Sequence, residues 1–324
     1  LYKDFFNAII SARRSMKFSN ISNSALKNTA TQNITFVPAA ELSFNHLAHL
    51  INQTFADYFL TVWLDEYQFK RMCFEEDVDL AQSVVAYVNG VPVGISLLSI
   101  RGNQGWISGV GVLPLWRRKG IALGILQHIQ TAALAEKLDV LRLEVLAQNA
   151  GGIALYHQLG FRCERDLLIL IVSGGMVPSA APVGAAHADP GTLLKAYHRF
   201  HSVRNPWQRD LPSLLHKKNH LLGWGLWENN TLVAYILAQV QSGNYAIADL
   251  AVDETHIHRN QLARTVLLAM HSERPDMGCH LLNIPAESPL LPAFEKLRYQ
   301  VWHRQHEMIW HARDTHPFIA DREQ

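Results

Sequence analysis

The chain of 324 residues contains the same arrangement twice. The stretch LLGWGLWENNTLVAYILAQVQSGNYAIADLAVD (221–253) repeats the strand, Asn-containing turn, strand, Gly turn, strand order of SVVAYVNGVPVGISLLSIRGNQGWISGVGVLP (83–114). Further on, HLLNIPAESPLLPAFEKLRYQVWH (280–303) lies on RLEVLAQNAGGIALYHQLGFRCER (142–165) at an offset of 138, which sets Phe294 on Tyr156 and Tyr299 on Phe161. A duplication of mixed strands and helices favours two α/β (α+β) domains over one large sheet.

Between the copies, SGGMVPSAAPVGAAHADP (173–190) is rich in Gly, Pro and Ala and lacks the period of a helix or a strand, so it reads as a linker. The expected division is an N-terminal extension (1–32), a first domain (33–172), the linker, a second domain (191–315) and a tail (316–324). The extension carries five cations against the single acid Asp4, a composition shared by transit peptides and frayed extensions, and is expected to lie outside the fold. In the first copy the pattern predicts helices over 43–56, 65–75, 117–137 and 150–159, with Asn89-Gly90 and RGNQG as hairpin turns.

With 48% apolar and 18% charged residues the chain can bury a sizeable core. A net charge of +1 gives no reason to expect a nucleic-acid partner. No apolar run reaches the roughly 20 residues of a membrane span. Cys73, Cys163 and Cys279 are odd in number and widely spaced, which points to free thiols, a reducing and cytoplasmic location, and no structural zinc. A monomer built by internal duplication and a homodimer are both compatible with this composition.

The chemistry-bearing stretch is VLPLWRRKGIALGILQHI (112–129). Arg117, Arg118 and Lys119 precede Gly120 at the start of an apolar helix, where the dipole already disfavours cations by about 0.3–1 kcal/mol each. A bound phosphate would reverse that sign, since the first-turn amides and the cations would then share an anion, and Gly120 and Ala122 would admit it to the backbone. The preceding strand has Ser108, Gly109 and Gly111 where a buried strand usually carries bulk, which suggests a bulge or the close approach of another amide-bearing chain.

V-x-P-x-x-R-x-x-G-I-A (Val112, Pro114, Arg117, Gly120, Ile121, Ala122) resembles the diphosphate-binding motif of the GNAT superfamily of acyl-CoA-dependent N-acyltransferases. LEVLAQNAGGIALYHQLGF (143–161), with Asn149, Leu155, Tyr156, Gly160 and Phe161, is similar to that family's second motif, and the likeness covers about residues 34–172. The resemblance implies two GNAT-like domains, each a bent mixed sheet flanked by helices with splayed central strands, the second a degenerate copy. It further implies acetyl-CoA as co-substrate, no metal, and an amine of a small molecule or peptide as acceptor. The implied cofactor contacts are Val110, Gly111, Val112, Arg117, Arg118, Lys119, Gly120, Ile121, Ala122, Asn149 and Tyr156.

Acyl transfer to an amine needs an acid for the departing thiolate and a base for the amine proton. Tyr156 is the candidate acid. The expected fourth strand GWISGVGV carries no carboxylate, so Glu144 on the fifth is a candidate base, with His157 or a water chain as alternatives. The acidic and aromatic FADYF (55–59), with Asp57, Tyr58 and Phe59, is a weak acceptor-site candidate, and the nearby Asp65, Glu66 and EEDVD (75–79) would also suit a cation. In the second copy RRKGIA becomes IHRNQLA (257–263), Phe294 replaces Tyr156 and Arg298 replaces Gly160, so one cofactor per chain is expected. The missing fourth-strand carboxylate also admits a non-catalytic acyl-CoA sensor or scaffold.

Overall fold

Alternating aliphatic and polar runs assemble into one mixed sheet of twelve strands in a computed structural model that describes residues 33–60, 62–177 and 184–314. The extension 1–32 and the tail 316–324 lie outside the described residues, as does the middle of the linker. In the first half the order is β1 (Ile34–Pro38), α1 (Phe44–Thr54), α2 (Glu66–Glu75), β2 (Val78–Val88), β3 (Val91–Arg101), β4 (Gln104–Val112), α3 (Ile121–Ala135), β5 (Val140–Leu146), α4 (Ala150–Gln158) and β6 (Arg162–Val172). In the second half β7 (Ala185–His187), α5 (Pro190–Leu194), α6 (Tyr197–Phe200), α7 (Leu211–Lys217) and β8 (Leu222–Glu228) come first. They are followed by β9 (Thr231–Gln241), β10 (Asn244–Val252), α8 (Arg259–Glu273), β11 (Cys279–Pro285), α9 (Leu291–Lys296) and β12 (Gln300–His311). Among the described residues no helix is long and apolar enough to cross a membrane.

Local chemistry explains the repeated elements. Asn89 and Gly90 both have positive φ (+50° and +80°), as a two-residue turn between β2 and β3 requires, and Asn229 and Asn230 (+48° and +62°) do the same between β8 and β9. Asp65 and Gln68 form a reciprocal capping box that starts α2, so Asp65 serves the helix, not an acceptor cation. The structural counterpart of the sequence repeat extends to single hydrogen bonds: the amide of Phe161 donates to the Tyr156 carbonyl, and that of Tyr299 to the Phe294 carbonyl, at 3.0 and 3.1 Å.

The sheet order is β1-β2-β3-β4-β5-β12-β6-β11-β10-β9-β8-β7. The last strand of each half therefore lies within the other half's strands. β12 pairs antiparallel with β5 from Gln305↔Leu146 to His311↔Val140, and β6 pairs antiparallel with β11. α3 packs Ile121, Ile125, Leu126 and Ile129 on the β2–β5 face together with Tyr156 and Phe161, while α8 packs Leu262, Val266, Leu267 and Met270 on the β8–β11 face. Each fully buried aliphatic of this kind contributes about 1.5–3 kcal/mol.

The other face carries polar contacts between segments distant in sequence. Arg101 binds Asp77, Asp210 and Ser213 and lies 4.2 Å from the Trp207 ring, whose indole N–H donates to the Glu76 carbonyl at 2.8 Å. The acidic run 75–79, a possible acceptor patch by sequence, is thus largely absorbed here, and burial lifts the Glu76 carboxyl to about 7 against the opposing charge of Lys217. In the second half, fully buried Asp249 accepts from Tyr235 at 2.8 Å, faces His201 at 2.9 Å and Arg209 at 3.4 Å. Burial alone would raise this carboxyl, and the cationic and hydroxyl partners hold it below the usual range instead. Asp249→Ala strands the Arg209 charge and should cost about 3–5 kcal/mol of stability in urea unfolding, whereas a change under 1 kcal/mol would show that the cluster is relaxed or hydrated.

Candidate active site

β4 and β5 are bonded in parallel only at Gln104↔Val140, Gly105↔Leu141 and Trp106↔Arg142. Beyond that point residues 107–112 and 143–146 have no partners on each other, and the strands enclose a gap with open backbone edges. The bulge read from the small residues is present: Ile107 opposes Leu98 and Gly109 opposes Leu97, which leaves Ser108 as the extra residue. Its hydroxyl oxygen is buried with no hydrogen-bond partner. The glycines have a different physical reason from the one expected. A Cβ on Gly111 would stand 2.2 Å from Thr54 Oγ1, and one on Gly109 would touch the Phe55 ring at 3.7 Å, so the missing side chains make room for the end of α1.

At the end of β4 the chain turns through a 3₁₀ segment, Pro114–Trp116, and α3 begins at Ile121, four residues later than the pattern indicates. The three cations accordingly precede the helix. Gly120 is its N-cap at φ +78°, in the left-handed region, with no side chain capping the first turn. The amides of the first turn, Ile121 and Ala122 among them, have no intrahelical acceptor and are open to a ligand. Arg118 also has positive φ, +63°, and Lys119 Nζ lies 4.5 Å from the Trp116 ring centroid. Arg117 is bound within the protein: it donates to the Val112 carbonyl at 3.0 Å, to the Thr54 carbonyl at 3.1 Å and to both oxygens of Asp57 at 2.6 and 2.8 Å. Its guanidinium holds the Asp57 carboxyl below its ordinary value, so Asp57 and Arg117 form a clasp between α1 and β4.

The FADYF segment crosses from that clasp toward β5. Phe55 rests on the β4 glycines, and the Tyr58 hydroxyl interacts with the Asn149 side chain and the Leu146 backbone. Phe59 is exposed and meets Tyr58 edge-on at 5.3 Å. Asn149 caps α4, its Oδ1 accepting from the Gly152 amide at 3.0 Å. Tyr156 is buried on α4 against Phe161, and burial, with Tyr58 nearby, holds its phenol well above the ordinary range. Val110 and Ala122 pack against the same core, and Val112 is part of it.

Glu144 faces the other way. Leu141, Leu143 and Val145 enter the α3-side core, so the intervening Arg142 and Glu144 project from the opposite face of the sheet. Trp106 Nε1 donates to Glu144 Oε2 at 2.8 Å, joining β4 to β5 where they part, while Oε1 is buried and unpartnered. Burial, with Glu307 nearby, raises this carboxyl to about 8 although the Trp106 bond opposes it. No local pattern points to Glu307, because β12 reaches β5 only through the strand exchange. The same exchange brings His306 to Cys163 and Asp166, with one ligand-type atom of each within 4.8 Å, a grouping that no spacing suggested.

The second half keeps the gap. β10 pairs with β11 only from Tyr245↔Cys279 to Ile247↔Leu281, and Ala248 is bulged next to Asp249. A cavity of about 370 Å³ there is lined by Leu250, Val252, Arg259, Ile284 and Phe294 among others. Arg298 takes the left-handed turn of Gly160 at φ +65°, but the N-cap of α8 is His258 with φ −105° and no glycine.

Comparison with known proteins agrees with this geometry. Residues 47–161 match the model of the Acetyltransferase (GNAT) family. This segment is therefore similar to the GNAT acetyltransferases. Three solved structures share its fold. A GCN5-related N-acetyltransferase from Sphaerobacter thermophilus has 16% identity and TM-score 0.67, over 86% of this chain and 96% of that one. A tandem GNAT protein from the clavulanic acid biosynthesis pathway has 14% identity and TM-score 0.64, over 86% and 99%. A putative acetyltransferase from Pyrococcus horikoshii has 13% identity and TM-score 0.61, over 90% and 93%. No curated protein matches the sequence.

Proposed function

We propose that the first half transfers an acetyl group from acetyl-CoA to an amine of a small molecule or peptide, by direct attack within a ternary complex. The observation that carries this reading is the unpaired stretch of β4 beside β5, with its bulge at Ser108, followed along the chain by the uncapped first turn of α3 at Gly120. In this reading the amides at Gly120, Ile121 and Ala122 hold the diphosphate, aided by the exposed cations Arg118 and Lys119. The open backbone at Val110, Gly111 and Val112 receives the amide-bearing arm and the thioester carbonyl. Arg117 contributes by fixing the end of β4 against α1.

Tyr156 acts as the acid and Glu144 as the base. Tyr156, on α4, lies on the α3 side of the sheet and Glu144 on the other, and in this reading the reacting centre sits in the gap. The raised phenol stays protonated through the working pH range, and a carboxyl near 8 is well matched to an amine proton. Tyr58 and Phe59 border the acceptor side. In this reading Glu144 supplies the carboxylate that β4 lacks.

The test is release of free thiol from acetyl-CoA with polyamines, aminoglycosides, amino acids and peptide N-termini as acceptors. Thiol release dependent on one acceptor class supports the reading. Tight acetyl-CoA binding with no thiol released across the panel would overturn it in favour of a sensor.

A further inference from the structure

We propose that Glu144 and Glu307 work as one carboxylate pair at the vertex of the β4–β5 gap, in which Glu307, carried in by β12, governs the protonation of Glu144. The second half of the chain would then supply a positioning residue to the first half's reaction. The inference rests on the transferase reading above, but the pair itself can be measured without turnover.

Three observations carry it. Glu144 and Glu307 are direct cross-strand partners in the β5–β12 ladder, so their side chains share one face with Cβ atoms about 5 Å apart. Like charges placed so are destabilising and call for a compensating role. Each residue has a buried Oε1 without a hydrogen-bond partner, and such orphaned acceptors are rare in folded proteins. A proton between the two carboxylates, or an acceptor ammonium, would satisfy both. Finally, the Oε2 oxygens are clamped: Glu144 Oε2 by Trp106, and Glu307 Oε2 by Arg165 and by Arg204 at 2.7 Å. The Oε1 oxygens are therefore the free ones.

The charged surroundings come from five elements. β12 contributes Glu307, β6 contributes Arg165 and Glu164, and β5 itself Arg142, which is bound to Glu164. The segment after α6 contributes Arg204, and the end of α2 contributes Glu76. Glu307 and Glu76 raise the proton affinity of Glu144 and Arg204 lowers it, in addition to the larger effect of burial. In the transfer, an acceptor entering as R–NH₃⁺ gives one proton to ionised Glu144, and its nitrogen lone pair forms the C–N bond. The C–S bond breaks, the sulfur takes the Tyr156 proton, and the second nitrogen proton is returned through solvent to the phenolate. Glu144 then releases its own proton to solvent.

The experiment is a ¹³C NMR titration of glutamate carboxyls in the full chain, with the pH profile of kcat/KM recorded beside it. A carboxyl titrating near 8 should be present in the wild type and absent in Glu144→Gln. Glu307→Gln removes a negative charge and leaves Arg204 acting on Glu144, so that titration should move at least one pH unit to the acid side. Should Glu307→Gln fail to fold, Arg204→Gln tests the same coupling with the opposite sign, an alkaline shift. Glu307→Asp, which keeps the charge, should restore most of the wild-type value. A Glu144 titration that moves in neither Glu307→Gln nor Arg204→Gln would overturn the pair. If the titration moves while the acid limb of kcat/KM stays fixed in an active enzyme, the pair has no part in the reaction. A coupled titration in a protein that releases no thiol with any amine would sink the transferase reading alone.

Discussion

Tyr156→Phe should lower kcat by about 10²–10⁴-fold while acetyl-CoA affinity changes less than threefold. The hydroxyl makes no hydrogen bond to another described residue, and the ring is held by the α3-side core and by Phe161, so its removal leaves packing intact. The chain already contains the outcome of this substitution at the equivalent place in its second half. There Phe294 packs edge-on against Tyr299 at 5.1 Å, the two side-chain types of the first copy exchanged. The same ring packing thus accommodates a phenylalanine at this place, and a fall in kcat reports on proton delivery to the sulfur. Steady-state kinetics with an accepted amine, together with calorimetric acetyl-CoA binding, checks this. Unchanged turnover would remove Tyr156 as the acid and shift attention to Tyr58.

Gly120→Val should raise the acetyl-CoA dissociation constant by at least tenfold, with little loss of folded protein. A Cβ at this position meets no protein atom within 4 Å, so the substitution creates no clash in the unliganded chain. The remaining cost is a β-branched residue at φ +78°, on the order of 1–2 kcal/mol. Gly102→Val is the matched control. It has φ +57° and equally open surroundings but lies in the β3–β4 turn, so it should show the strain without the loss of binding. Equal acetyl-CoA affinity in both variants would place the diphosphate elsewhere than the start of α3.

The sequence determined much of this protein. The repeat, the hairpins at Asn89-Gly90, the order of strands and helices, and the two motifs around Gly120 and Asn149 were all legible, because each is a local pattern of turn chemistry, apolar period or backbone freedom. The offset that set Phe294 on Tyr156 survives as matching hydrogen bonds in the folded chain. Legibility ended where a residue's partner comes from far along the chain. Arg117 resembles a phosphate ligand until Asp57 and two carbonyls are seen to occupy its guanidinium. Gly109 and Gly111 suggested room for a bound chain, yet their faces are filled by Thr54 and Phe55. Glu144 was visible as a carboxylate on a strand, but not its proton affinity, which depends on burial and on Glu307.

The exchange of β6 and β12 explains why. Strand pairing is carried by backbone groups that every residue shares, so an antiparallel ladder between β5 and β12 leaves little trace in residue types. The chain by itself specified two copies of one architecture and a GNAT-like motif in the first. The tertiary structure decided that each copy is completed by the other's last strand, and so which charges face one another at the gap.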